Sequence, residues 1–129
     1  MSDPEAPSTV NFAVVLGVAS GPPELRRLAS GTRLASFALR THSLGPPATS
    51  VPVAVWDSPA WTEQIDEGDE VLVAGCIRRR FYRAASGGLG SRVELEASMV
   101  GRASDRRARR RVQDLVGALS ETLEGRVRE

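Results

Sequence analysis

Apolar residues recur at every second position through Val10–Val18, so Val10, Phe12, Val14, Leu16 and Val18 share one face of a predicted strand. Ser20, Gly21, Pro22 and Pro23 stop it. Glu24 to Gly31 is too short and turn-rich for a helix and reads as a connection. Arg33–Thr41 is the second predicted strand, with Phe37 and Leu39 on one face, and residues 44–50, carrying Gly45, Pro46 and Pro47, are a loop. Val51–Trp56 is the third. Pro52 cannot donate to a ladder, which places this strand at an edge or gives it an irregular start. Asp57, Ser58 and Pro59 have the character of a helix start, and Ala60 to Glu67 supplies one or two turns ending at Gly68.

The most informative stretch is residues 68–97. Val71, Val73 and Ile77, then Val93, Leu95 and Ala97, keep strand period, while Ser86, Gly87, Gly88 and Gly90 interrupt it as a loose hairpin loop. After Gly101 the period changes: Ser104 and Asp105 open a helix whose stripe is Ala108, Val112, Leu115, Val116, Leu119 and Leu123. Three strands, a short helix and two strands predict an all-β chain, the closed five-stranded OB barrel, followed by a C-terminal amphipathic helix. A five-stranded sandwich is the structural alternative. The expected organisation is a polar, disordered tail at residues 1–9, a barrel domain at 10–101 and a basic helix with its tail at 102–129.

At 129 residues and 41% hydrophobic the chain has material for one domain with one core. No run approaches the length of a membrane span and MSDPEAPST has no signal-peptide pattern, so the expected location is cytoplasmic, associated with the nucleoid. The single cysteine, Cys76, reads as a buried structural thiol; with one histidine, His42, taken as solvated, no metal site or cofactor is expected. Glu63, Asp66, Glu67, Asp69 and Glu70 read as a solvated loop rather than catalytic acids. With no Ser-His-Asp spacing and no phosphate loop, a non-enzyme is expected.

Charge changes this picture by its distribution, not its sum. Seventeen cations, all arginine, against sixteen anions leave +1, so no global basic footprint exists. Yet residues 78–83 hold Arg78, Arg79, Arg80 and Arg83 without an acid, interleaved with Phe81 and Tyr82, which can focus a local field. Guanidinium groups suit phosphates and aromatic faces suit unstacked bases. Strand period puts Tyr82 with Arg78 and Arg80, leaving Phe81 on the opposite face as a core or interface residue. Arg92 faces this strand across the hairpin. Trp56 is either core or a second stacking residue, and Trp61 reads as packing. The candidate nucleic-acid-binding set is therefore Trp56, Arg78, Arg80, Tyr82, Arg83 and Arg92, with Arg33, Arg40 and Phe81 secondary. Arg106, Arg107, Arg109, Arg110 and Arg111 begin the final helix, with Glu121 and Glu124 near its end. That opposes the helix dipole by about 0.3–1 kcal/mol per exposed charge, so the cluster either touches nucleic acid or is a solvated face.

In this order the chain resembles the bacterial single-stranded DNA-binding protein family over roughly residues 10–100. The resemblance is carried by Val10-Asn11 and the Gly17 strand, Pro23-Glu24-Leu25-Arg26, Leu34-Ala35-Ser36-Phe37-Ala38-Leu39 and Val53-Ala54-Val55-Trp56. Gly68-Asp69, Gly75 with Ile77-Arg78, and Arg92-Val93-Glu94-Leu95-Glu96-Ala97 complete it. It implies an OB fold, a homotetramer favoured over a dimer, and sequence-independent single-stranded DNA binding in replication, repair or recombination. Trp56 and Tyr82 fall at the family's aromatic positions. Ser50 stands where many members carry another stacking tryptophan, and the loop at 42–50 is shortened where a further aromatic often lies. Gly125-Arg126-Val127-Arg128-Glu129 has no acidic tip ending in Pro-Phe, so recruitment of replication partners through such a tip is not expected. These departures suit an accessory paralogue or a primosome-type OB-fold module that binds protein, with weak or no nucleic-acid binding.

Overall fold

The structure, a computed structural model, describes residues 9–42 and 48–128. Its elements are β1 (Ala13–Ala19), β2 (Glu24–Arg27), β3 (Arg33–Thr41), β4 (Thr49–Trp56), a 3₁₀ segment (Ala60–Gln64), β5 (Glu70–Arg83), β6 (Leu89–Arg102) and α1 (Arg106–Arg128). The strands form one sheet in the order β1-β5-β6-β4-β3-β2, which closes into a ring because β1 also pairs with β3. The chain is thus mostly β with one C-terminal helix. The expected tail at residues 1–9 falls, save for its last residue, outside the described residues, as does most of the loop expected at 44–50.

Six strands form where five were expected. The segment read as a connection supplies β2, which pairs with β3 through Leu25↔Ala35 and its neighbours. A tight turn folds it back: Leu28 N donates to Thr32 O at 2.9 Å, Gly31 N donates to Leu28 O at 2.8 Å, and Gly31 takes a φ of +89°. Because β2 is exposed along its whole length, it carries no alternation of burial for a pattern to reveal. β4 begins at Thr49 rather than Val51, and Pro52 precedes the two-residue parallel contact of β4 with β6, Val53↔Leu95 and Ala54↔Glu96. The helix expected over 60–67 is the short 3₁₀ segment, where the Thr62 hydroxyl donates to Pro59 O at 2.6 Å.

The apolar face of the first strand points away from the core. Val14 and Leu16 are 40% and 58% exposed, while Ala13, Val15 and Ala19 pack inward. The reason is a close crossing: a Cβ on Gly17 would stand 2.9 Å from Arg40 O of β3, so this side of β1 admits only small residues near the crossing. Inside the ring, Phe37, Leu39, Val53, Val55, Val71, Val73 and Leu95 build the main core with Ile65, and Trp61 packs against it.

A second cluster lies outside the ring. Leu72, Ala74 and Met99 are covered by Ala108 and Val112 of α1, with Phe12 beside them. Gly101 makes this docking possible, because a Cβ there would lie 2.4 Å from the Ala108 Cβ. Asp105 fixes where the helix starts: its Oδ1 accepts from Arg107 N at 2.9 Å and Ala108 N at 3.4 Å. Past Val112 most of the helix stripe is exposed, with Leu115, Val116 and Leu123 at 37%, 45% and 49% exposure and Leu119 half-buried. Only the N-terminal half of α1 is held by the sheet. Among the described residues no helix is long and apolar enough to cross a membrane.

Candidate nucleic-acid interface

β5 and β6 are each 14 residues long and outrun the ring as a hairpin. Gly90 belongs to β6, so the expected loop shrinks to the turn closed by Ala84 N to Gly88 O at 2.7 Å. Near the foot of the hairpin the register slips between Ala74 and Gly75, leaving Ser98 as an extra residue on β6; its hydroxyl donates to Ala74 O at 3.2 Å. Asn11 pins β5 at the same level, donating through Nδ2 to Ile77 O at 2.7 Å and accepting from Ile77 N at 2.9 Å. Beyond that point the pairs run without interruption: Cys76↔Glu96, Arg78↔Glu94, Arg80↔Arg92 and Tyr82↔Gly90.

Arg78, Arg80 and Tyr82 therefore stand on one face, with Arg92, Glu94 and Glu96 interleaved from β6. The arginines are not free. Arg78 Nε meets Glu96 Oε2 at 2.5 Å, Arg80 pairs with Glu94, and Arg92 lies 3.6 Å from the other Glu94 oxygen. The Glu94 side chain is only 1% exposed. A carboxylate buried that deeply needs charged partners, and two guanidinium groups supply them. The Glu96 carboxylate, by hydrogen bond and by charge, pushes the Arg78 guanidinium further above its ordinary value, so Arg78 stays cationic.

Trp56, at the end of β4, joins the same face. The Arg80 guanidinium lies over its ring at 5.0 Å from the centroid, which stacks cation on indole. Its Nε1 is buried without a hydrogen-bond partner. The backbone turns sharply just after it, where Asp57 adopts a left-handed φ of 54° and donates its N–H to Arg33 O at 2.7 Å.

Tyr82 is different from its neighbours. A Cβ at Gly90 would stand 2.6 Å from Tyr82 Cζ, so the ring lies flat across the glycine backbone of the partner strand. It is still 49% exposed. One face is seated on β6 and the other is open, which is the geometry of a stacking platform.

The remaining candidates lie apart. Arg83 and Phe81 are on the opposite face of the hairpin, and Phe81 is 69% exposed, so it is not a core residue. Arg33 is tied down by Glu63 at 3.4 Å and by Ser58 O at 3.3 Å. Arg40 stands exposed on β3, opposite Ser50. Cys76 is half-buried rather than buried, with Sγ 3.9 Å from Glu96 Oε2. The acids at 63–70 are partly engaged: Asp69 Oδ2 accepts from Asp66 N at 3.0 Å and lies 3.4 Å from Arg102, whose guanidinium covers Trp61.

Sequence reasoning missed Glu94 and Glu96 as members of the face. The alternation Val93-Glu94-Leu95-Glu96 marks them as facing away from the core, and pairing the two strands back from the glycine turn would have set them beside Arg78 and Arg80. A scan against protein-family models finds none that matches the chain, and a search of curated proteins finds no match.

Proposed function

We propose that this chain is a non-catalytic, sequence-independent binder of single-stranded DNA, built on an OB-type barrel of the bacterial single-stranded DNA-binding kind. The five-membered ring with a parallel β4–β6 contact supports the OB reading, β2 being an appended edge strand. The observation that carries the function is the Tyr82 ring, seated on Gly90 with its outer face open and Arg78 and Arg80 on the same side. A base stacked there places its neighbouring phosphates against the arginines. Each guanidinium that reaches a phosphate exchanges a glutamate for it, so Glu94 and Glu96 tune the face towards weak, salt-sensitive binding. Trp56 extends the platform with Arg80 stacked upon it. The same fold self-associates as a homotetramer in this reading, the uncovered Val14 and Leu16 on β1 supplying apolar surface for it.

The test is a fluorescence titration with poly-dT over a range of NaCl, with duplex as competitor. The expected log–log slope is roughly −3 per protomer if about four arginines each reach a phosphate, at about −0.7 per phosphate for single strands. A slope near zero overturns the reading. The neutralisation of Arg78, Arg80 and Arg92 favours a second reading, an OB-fold protein-interaction module, in which neither poly-dT nor duplex binds.

A further inference from the structure

The arginines that α1 brings to the barrel are placed and charged differently from those of the hairpin. Docking of Ala108 and Val112 fixes the rotation of the helix, and Arg111 then borders a groove whose other walls include Trp56, Asp57, Ser98 and Met99. Trp56 thus stands between the hairpin ladder on one side and the first turns of α1 on the other. Arg106, Arg107, Arg109, Arg110 and Arg111 are all exposed and form no ion pair among the described residues. Helix stability does not ask for them, since they oppose the dipole. Arg107, Arg110 and Arg111 are three and four residues apart and fall on one side of the helix.

We propose that the N-terminal turns of α1 form a second phosphate-contact zone of the same path, with Arg111 leading a single strand from Trp56 onto the helix. This rests on the single-strand reading above and locates where most of its charge is supplied. The hairpin provides the stacking platform and arginines already occupied by glutamates. The helix provides cations that need exchange nothing. From Cys76 to Tyr82 alone β5 runs about 20 Å at ~3.3 Å per residue, so an oligonucleotide must be long to engage both zones. The reversed charge order of the helix then has a function: it puts cations where the helix meets the barrel and leaves Glu121 and Glu124 beyond it.

The experiment compares the full chain with the variant Arg107→Gln/Arg110→Gln/Arg111→Gln, titrating a short and a long oligothymidylate over a range of NaCl. Circular dichroism and thermal melting confirm that the variant is folded; its melting temperature should not fall, because charges unfavourable to the dipole are gone. For the long oligonucleotide the magnitude of the log–log slope should drop by about 2, from about 0.7 per lost phosphate contact. Affinity for the short one should change little. An unchanged slope with the long oligonucleotide overturns the proposal while leaving the hairpin reading intact. Wild type that binds neither oligonucleotide removes the reading on which it rests. Loss of binding to anionic lipid vesicles in the variant, with an unaltered slope on the long oligothymidylate, assigns the helix to a lipid surface and overturns the proposal as well.

Discussion

The hairpin and the helix hold comparable numbers of arginines and use them in opposite ways. On β5 and β6, Arg78, Arg80 and Arg92 close on Glu94 and Glu96, and one of those carboxylates is almost wholly buried. On α1 five arginines face solvent and form no ion pair among the described residues. A count of cations along the chain treats the two regions as equal. Their electrostatic availability is not equal, because an exposed cation can bind a phosphate directly whereas a paired one first loses its partner. Density of charge in sequence therefore locates a basic region, while cross-strand register decides how much of that charge a ligand can use.

The sharpest way to break the contrast is to remove what the hairpin alone supplies. Tyr82→Ala takes away the one aromatic with a seated and an open face, and stacking is worth about 1–3 kcal/mol per base, so single-strand affinity should fall by roughly five- to a hundredfold. Folding should be little affected, since the ring is half exposed. Titration of the folded variant against poly-dT checks it. Wild-type affinity would move the stacking site away from this hairpin.

A second prediction separates the helix from the barrel. Gly101→Ala introduces a Cβ that would stand 2.4 Å from the Ala108 Cβ, so α1 must shift or lift off Leu72, Ala74 and Met99. Overpacking of this kind costs about 1–3 kcal/mol. Denaturant melts should show it, together with increased hydrogen exchange in the first turns of α1. Unchanged stability and protection would mean that the helix is not held through Gly101.

A third prediction alters the hairpin towards the state of the helix. Glu94→Gln removes the buried charge that Arg80 and Arg92 share and releases both for phosphate. Binding to poly-dT at low salt should tighten, by roughly threefold to tenfold if about one added phosphate contact is worth ~0.7–1.4 kcal/mol. Stability should fall by about 1–3 kcal/mol, because the arginines lose a desolvated partner. Weaker binding at intact fold would show that the ion pairs hold the face in its binding geometry instead of competing with the ligand.

The ring of strands was legible because β3, β4 and β5 bury alternate or continuous apolar residues, which periodicity reports. The β2 strand was not, since Glu24–Arg27 buries nothing and is held only by backbone pairing and the Leu28–Thr32 turn. The orientation of β1 was not legible either: its larger apolar residues face outward because the crossing with β3 demands Gly17 on the other side. At the candidate site, strand period placed Tyr82 with Arg78 and Arg80 without help from the structure. The seat on Gly90, the glutamate clamps and the Arg80–Trp56 stack depend on register across two turns, and no spacing within one strand carries that information.

The smallest expected effect belongs to Phe81→Ala. The sequence gives Phe81 a place on the face opposite Tyr82, and a side chain there was expected to serve the core or an interface. The structure leaves it 69% exposed, paired across the hairpin with Ser91 and near the still more exposed Leu89. Truncating so exposed a ring removes little buried area, so monomer stability should change by no more than about 0.5 kcal/mol. Single-strand affinity should likewise stay near wild type, since the opposite face carries the platform. What remains open to change is self-association, because the exposed Phe81, Leu89, Ile77 and Val93 share that face, interleaved with Arg79 and Arg83. Light scattering over a dilution series, run beside the melt and the titration, distinguishes the three. A lost oligomer with intact affinity makes this face an assembly surface and keeps the two faces of the hairpin separate in function. A lost affinity with intact assembly exchanges the roles of Phe81 and Tyr82, and with it the side of the hairpin on which a strand lies.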